Sequence, residues 1–257
     1  MARVLVLVPF PLDEKGLQNR RDQLGAVKLG PEIDFDYRGV KAGPDWLDSY
    51  HDWLLGDMAT FEAGLSAQDD GYDAVLVDTV SDSGVNALRS VLDIPVIGPG
   101  KAMYLAALLL GTRFSVLVQW DPWEPVFKKS LQEYGLADKC ASLRSINLRP
   151  DVRNLLGGKE DEVFPKLRDA AMKCIEEDGA DVICMGSTTM HQAVPYLQTS
   201  LPVPVINPGP LSYKLVEAVL GLGISHSRVA YPKPNVPKAE MAHAMLEAAR
   251  KSQFGLA

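Results

Sequence analysis

Cysteine is scarce in this chain. Three occur in 257 residues, Cys140, Cys174 and Cys184, with no close pair and no CxxC. That spacing spells neither a disulfide framework nor a zinc site, and the odd, sparse count fits a reducing cytoplasm. The four histidines, His51, His191, His226 and His243, are scattered. HExxH, Walker and GxGxxG motifs are all missing, so no metal and no cofactor is expected. Positive charge is also in deficit: 26 Lys and Arg stand against 33 Asp and Glu, a formal charge of -7. Without a basic run interleaved with aromatics, nucleic acid is not an expected partner. Long apolar runs are absent too. The opening "MARVLVLVP" and the stretch 102–110 are too short for a signal peptide or a membrane span. No membrane partner and a cytoplasmic location are therefore expected, and the opening reads as a buried first strand.

What the chain does have is a regular alternation of short Val/Ile/Leu runs with helical patterns, punctuated by Pro and Gly. The pattern predicts strands over 4–8, 33–37, 74–77, 96–97, 114–118, 143–146, 182–185 and 205–206. It predicts helices over 44–66, 83–92, 102–110, 123–134, 161–177, 191–197, 211–222 and 238–251. Continuously apolar strands alternating with helices imply parallel sheets covered on both faces. In such sheets ligands bind beyond the carboxyl ends of strands.

An internal repeat organises the alternation. The segment 72–111, beginning "YDAVLVDTVSDSG", matches 180–223, beginning "ADVICMGSTTMH". Asp73 aligns with Asp181 and Thr79 with Ser187. One residue out of step, "PVIGPG" (95–100) aligns with "PVINPG" (204–209). The expected fold class is therefore α/β: two similar three-layer αβα lobes with mainly parallel sheets, related by a pseudo-twofold, with the active-site cleft between them. The expected division is 1–98 plus 209–257 for lobe 1 and 99–208 for lobe 2.

Two turns hold the candidate chemistry, "DTVSDSG" (78–84) and "GSTTMH" (186–191). Each ends a buried strand and starts a helix. Small hydroxyl residues there accept bonds from free helix N–H groups, and the same N–H groups attract an anion. Thr79 and Ser187 are the paired candidates, with Val80, Ser81, Thr188 and Thr189 beside them as substrate-binding residues. A hydroxyl is a feeble base unless a neighbour takes its proton. Asp78 can serve Thr79, or can be a strand-end residue facing away. His191 can act as an acid or base near neutral pH, or can be a half-buried helix histidine. Asp82 reads as a cap for the helix starting at Ser83. Phe10 offers an apolar wall, and Gln119 with Trp120, at the end of the "FSVLV" strand, can line the same cleft. Lys101 can meet a carboxylate, or lie in solvent.

The segments "DAVLVDTVSDSGVNALR", "PVIG", "FSVLVQW", "LQEYGLADKCASLRSI", "ADVICMGSTTM", "PVPVINP" and "LGISHSRVAYPKP", in this order and spacing, resemble the aspartate/glutamate racemase superfamily, most closely its hydantoin racemase branch. The likeness covers nearly the whole chain. It implies a cofactor-independent isomerase, a homo-oligomer, and a small carboxylate or cyclic amide as substrate. Members use two cysteines on opposite sides of a cleft, one thiolate taking the proton next to a carbonyl and the other thiol returning one. Thiols suit this because their pKa of about 8.5 is easily tuned. The family's first cysteine falls on Thr79 and its second on Ser187. Cys184 does not stand in for the second, because three residues along a strand is a shift of roughly 10 Å and a change of face. The family's polar loop after strand one is also replaced, by "VPFPL" (8–12), which has no side-chain donors. The resemblance thus implies acid/base chemistry at the carbon next to a carbonyl, without the two-thiol mechanism. A lyase, decarboxylase or hydrolase on the same cleft, and a non-catalytic anion-binding member, stay open as alternatives.

Overall fold

The computed structural model describes residues 1–30, 32–151 and 158–255. Strand β1 (Ala2–Val8) has both faces buried from Val4 to Val8, so it lies at the centre of a sheet. It pairs in parallel with β2 (Ile33–Gly39) on one side and β3 (Ala74–Val77) on the other, and β4 (Val96–Ile97) lies beyond β3. The second sheet repeats the plan. Its central strand β5 (Phe114–Val118) lies between β6 (Cys140–Ser145) and β7 (Val182–Met185), with β8 (Val205–Ile206) outermost. The orders β2-β1-β3-β4 and β6-β5-β7-β8 are the same. Even the strand starts match: Asp73 accepts a bond from the Arg3 backbone N–H at 2.8 Å, and Asp181 from that of Arg113 at 2.9 Å. The expected α/β fold of two lobes with parallel sheets is therefore what the chain forms.

Side chains alternate across each strand, which divides the core into three clusters. Val4, Val6, Val8, Val116, Val118, Val182 and Cys184 share one cluster with residues of α4 (Pro99–Leu110) and α8 (Pro208–Leu222). Those two helices pack against each other, so one apolar cluster joins both sheets. The opposite face of the first sheet, Leu5, Leu7, Val75 and Val77, is covered by α2 (Tyr50–Gly64), α3 (Val85–Val91) and α9 (Ala239–Phe254). The opposite face of the second, Leu117, Ile183 and Met185, is covered by α6 (Glu160–Glu176) and α7 (Val194–Ser200). Truncating a fully buried leucine such as Leu7 or Leu117 to alanine costs about 2–5 kcal/mol.

The structure corrects the predicted elements mainly at helix starts. Helix α2 begins at Tyr50 rather than 44, because the Ser49 side chain accepts from the Asp52 N–H and caps it. Helix α4 begins three residues before 102, with Pro99 and its fixed φ opening the first turn. Strand β6 begins at Cys140, earlier than 143. The helix expected from 191 is a 3-10 turn over Thr188–Ala193 followed by α7, and the one expected from 123 is a 3-10 turn over Asp121–Trp123 followed by α5 (Glu124–Glu133). Helix α1 (Glu14–Arg21), with a 3-10 turn over Asp22–Ala26, has no counterpart in the predicted set. Its sequence "EKGLQNRR" has no apolar stripe to betray a helix.

Candidate active site

Strands β3 and β7 end at equivalent places. The Asp78 N–H donates to the Leu7 carbonyl and the Gly186 N–H to the Leu117 carbonyl, both at 2.8 Å. The chain then leaves each sheet, and the two turns line one cavity. Asp78, Thr79, Val80 and Ser81 enter it from the first lobe, and Gly186, Ser187, Thr188 and Thr189 from the second. Phe10, Leu47, Trp123, Val126, Phe127 and Pro150 supply apolar walls. Eight of the ten expected site residues thus fall together, Phe10 among them as a wall; Gln119 and His191 do not line the cavity.

The second turn shows why it is built of hydroxyls. Ser187 caps the 3-10 turn, its Oγ accepting from the Thr189 N–H at 3.1 Å and lying 2.7 Å from Thr189 Oγ1. Gly186 is required by close packing: a Cβ there would sit 2.5 Å from the Leu117 carbonyl oxygen. In the first turn, Thr79 Oγ1 lies 3.0 Å from Ser81 Oγ, which lies 2.8 Å from Ser83 Oγ. Asp82 has a φ of 53°, in the left-handed region. It does not cap the helix that follows it. Its carboxylate reaches across to accept from the Gly100 and Lys101 N–H groups at 2.7 and 2.8 Å and from the Tyr134 hydroxyl at 2.7 Å. It thereby caps α4, and burial pushes its pKa up.

The residue that sequence reasoning missed is Arg20. It is 1 % exposed, lines the cavity and pairs with Asp78, 4 % exposed, at 3.2 Å. The Gln23 amide also donates to Asp78 Oδ2 at 3.4 Å. Thr188, from the turn of the other lobe, lines the same cavity. Burial pushes the Asp78 pKa up, and Arg20, Thr188 and Gln23 pull it part of the way back. Asp78 therefore faces the cavity, but engaged by Arg20 rather than poised over Thr79. The signal for Arg20 was local: Asp13 ahead of a short polar run, where its Oδ1 accepts from the Gly16 N–H at 2.9 Å and starts α1.

The other candidates lie elsewhere. His191 has a buried Nδ1 without a partner among the described residues, and burial, with Arg20 nearby, pushes its pKa down. Gln119 is buried, and its backbone carbonyl accepts from the Leu148 N–H at 2.7 Å. Lys101 rests over the Tyr134 ring, 5.2 Å from its centroid. Trp120 lies 5.9 Å from the Arg149 guanidinium, which sits closer, at 4.1 Å, over Trp46. Cys184 is fully buried in the core, and burial pushes its thiol well up; Cys140, half-buried, is pushed up to about 12. Among the described residues no cluster of His, Cys, Asp and Glu could hold a metal ion, and no helix is long and apolar enough to cross a membrane.

Two parallel-stranded lobes that meet at paired strand-end turns define the racemase architecture. The chain belongs to the Asp/Glu/hydantoin racemase family, whose model matches residues 18–216. It is 28% identical over 191 residues to a hydantoin racemase of Pseudomonas sp. (strain NS671), covering 74% of this chain and 75% of the relative. Among solved structures, allantoin racemase from Pseudomonas fluorescens superposes with a TM-score of 0.81 at 25% identity, covering 92% of this chain and 98% of that one. An arylmalonate decarboxylase shares the fold with a TM-score of 0.61 at 18% identity, over 86% of this chain and 94% of that one.

Proposed function

We propose that this chain is a cofactor-independent acid/base enzyme that moves a proton at the carbon next to a carbonyl of a small cyclic amide, without the two-thiol mechanism. One observation carries the reading: Thr79 and Ser187, at equivalent strand ends of the two lobes, line a single cavity. The turn hydroxyls and N–H groups are donors for the oxygen that becomes negative when the proton leaves. The apolar walls keep water from screening those bonds. A neutral ring is favoured over a carboxylate because the cation in the lining, Arg20, is engaged by Asp78. Hydantoin and allantoin, which name the relatives, are rings of this kind.

A second reading, decarboxylation, is supported by the inequality of the two turns. The first links three hydroxyls by hydrogen bonds, Thr79, Ser81 and Ser83, and the second links two, Ser187 and Thr189. A group competent on one face is enough to protonate a carbanion after loss of carbon dioxide. The proposal also includes a homo-oligomer in the cytoplasm with no nucleic-acid or membrane partner. Its lobes divide at 98/99 and 208/209, supported by the packing of α4 on β5, β7 and β8 and of α8 on β3 and β4.

The test is incubation with 5-substituted hydantoins in D₂O, followed by proton NMR at the ring carbon. Loss of that signal without a new product is the expected outcome. A product with a new functional group replaces the reading by the decarboxylase or lyase one. Binding with no exchange on hydantoins, amino acids or hydroxy acids overturns both and leaves a binding protein.

A further inference from the structure

A hydroxyl that takes a proton from carbon must pass its own proton on, and Asp78 is engaged by Arg20. The bonds of the first turn lead the other way. From Thr79 they run to Ser81 at 3.0 Å and from Ser81 to Ser83 at 2.8 Å, and in each bond either oxygen can be the donor. Ser83 is buried, and the carboxylate of Asp57 on α2 lies beside it, close enough for the Ser83 hydroxyl to lower its pKa. The N–H of the next residue, Gly84, donates to Asp57 Oδ1 at 3.1 Å and holds the carboxylate there. Ser81 lines the cavity and also borders a second, outer pocket, and Asp57 lines that outer pocket with Lys129 and Glu133. The hydroxyl chain therefore starts in the cavity and leads to Ser83, beside a carboxylate at an outer pocket.

We propose that Thr79, Ser81 and Ser83 form a proton relay that makes Asp57 the terminal acceptor for the proton Thr79 removes from substrate carbon. This rests on the acid/base reading above. In the forward step the carbon–hydrogen bond breaks and its proton goes to Thr79 Oγ1, leaving the electron pair on the substrate as an enolate. The Thr79 proton passes to Ser81, that of Ser81 to Ser83, and that of Ser83 to the Asp57 carboxylate. All three hydroxyls end neutral, Asp57 ends as the acid, and one negative charge has moved from Asp57 to the enolate oxygen. Reversal returns the proton. Asp57 and Ser83 act through Thr79 and do not touch substrate. Burial raises the Asp57 pKa; Lys129 lowers it and Glu133 raises it from across the outer pocket, which makes Asp57 a better proton acceptor than an exposed carboxylate.

The experiment is ring-carbon exchange of a 5-substituted hydantoin in D₂O, measured against pH for the full chain and for Asp57→Asn, Ser83→Ala and Ser83→Thr. The relay predicts that kcat for Asp57→Asn falls by about 10²–10⁴-fold with KM little changed, as for loss of an acid/base group. The rising limb of the pH profile that reports Asp57 disappears with it. Ser83→Ala falls similarly, and Ser83→Thr, which keeps the hydroxyl, recovers most of the rate. A carbon-13 NMR titration of the Asp57 carboxyl gives a readout apart from activity: its pKa rises in Ser83→Ala, because the Ser83 hydroxyl that lowers it is lost. Wild-type exchange with Asp57→Asn and Ser83→Ala exchanging at the same rate overturns the relay while the acid/base reading stands. Equal losses in Ser83→Ala and Ser83→Thr, or an unmoved Asp57 titration in Ser83→Ala, also overturn it. No exchange by wild type overturns the acid/base reading and the relay together.

Discussion

The two strand-end turns occupy matching places and share a spacing, yet they differ at both ends. Thr79, Ser81 and Ser83 correspond to Ser187, Thr189 and His191. The first two members of each set are hydrogen-bonded, at 3.0 Å in one lobe and 2.7 Å in the other. Ahead of them stand Asp78 in the first lobe and Gly186 in the second. The carboxylate draws Arg20, Gln23 and Thr188 around it, whereas glycine leaves room for the backbone of β5. At the far end Ser83 extends a hydroxyl chain, while His191 turns out of the cavity. The two halves share a symmetric frame, and the residues flanking each hydroxyl pair make the two turns unequal.

The largest effect in this comparison is expected at Asp78. Asp78→Ala removes the carboxylate that pairs with buried Arg20 at 3.2 Å, and breaking a buried pair costs about 3–5 kcal/mol of stability. Denaturant unfolding checks it; a loss below about 1 kcal/mol would mean the pair does not distinguish the turns. Replacing both partners, Arg20→Met with Asp78→Leu, costs much less than the single change. Activity is the next difference. Thr79→Ala lowers exchange by about 10²–10⁴-fold. Ser187→Ala removes one hydrogen-bonding hydroxyl, which also caps the 3-10 turn, about 0.5–1.5 kcal/mol, or roughly tenfold at most. Equal losses in the two variants would restore two-sided chemistry and break the comparison. Gly186→Ala drives a Cβ against the Leu117 carbonyl and costs about 1–3 kcal/mol, read as a lowered Tm. The smallest change is at Asp82, where Asp82→Ala removes a helix cap worth about 1 kcal/mol. Burial holds the Asp82 pKa above the usual carboxylate value. The native state therefore keeps its proton longer than the unfolded chain does, and this contribution to stability is lost as pH rises through the raised pKa. Unfolding against pH shows that decline in wild type, and it is absent from Asp82→Ala.

Much of the frame was legible. Strands β3, β4, β5, β7 and β8 lie at the predicted residues, because each is a short apolar run closed by Pro, Gly or polar residues. The repeat brought Thr79 and Ser187 to one cavity. Helix α1 was not legible, because it buries Arg20 through an ion pair rather than an apolar stripe, and a single charged contact leaves no period. His191 does not line the cavity because it sits within a 3-10 turn whose preceding residue, Met190, is off the helical angles, at φ -96° and ψ 18°. That rotates the following side chain away from where an α-helix would put it.

The sequence by itself determined the doubled α/β plan, the strand ends and the hydroxyl residues at them, since these depend on local hydrophobicity and on the likeness of one half to the other. Only the tertiary structure decided which charges meet those hydroxyls. Arg20 and Asp78 are 58 positions apart, and Ser83 and Asp57 are 26 apart. Such pairs form because helices settle onto a particular sheet order, and that geometry has no signature in either short stretch alone.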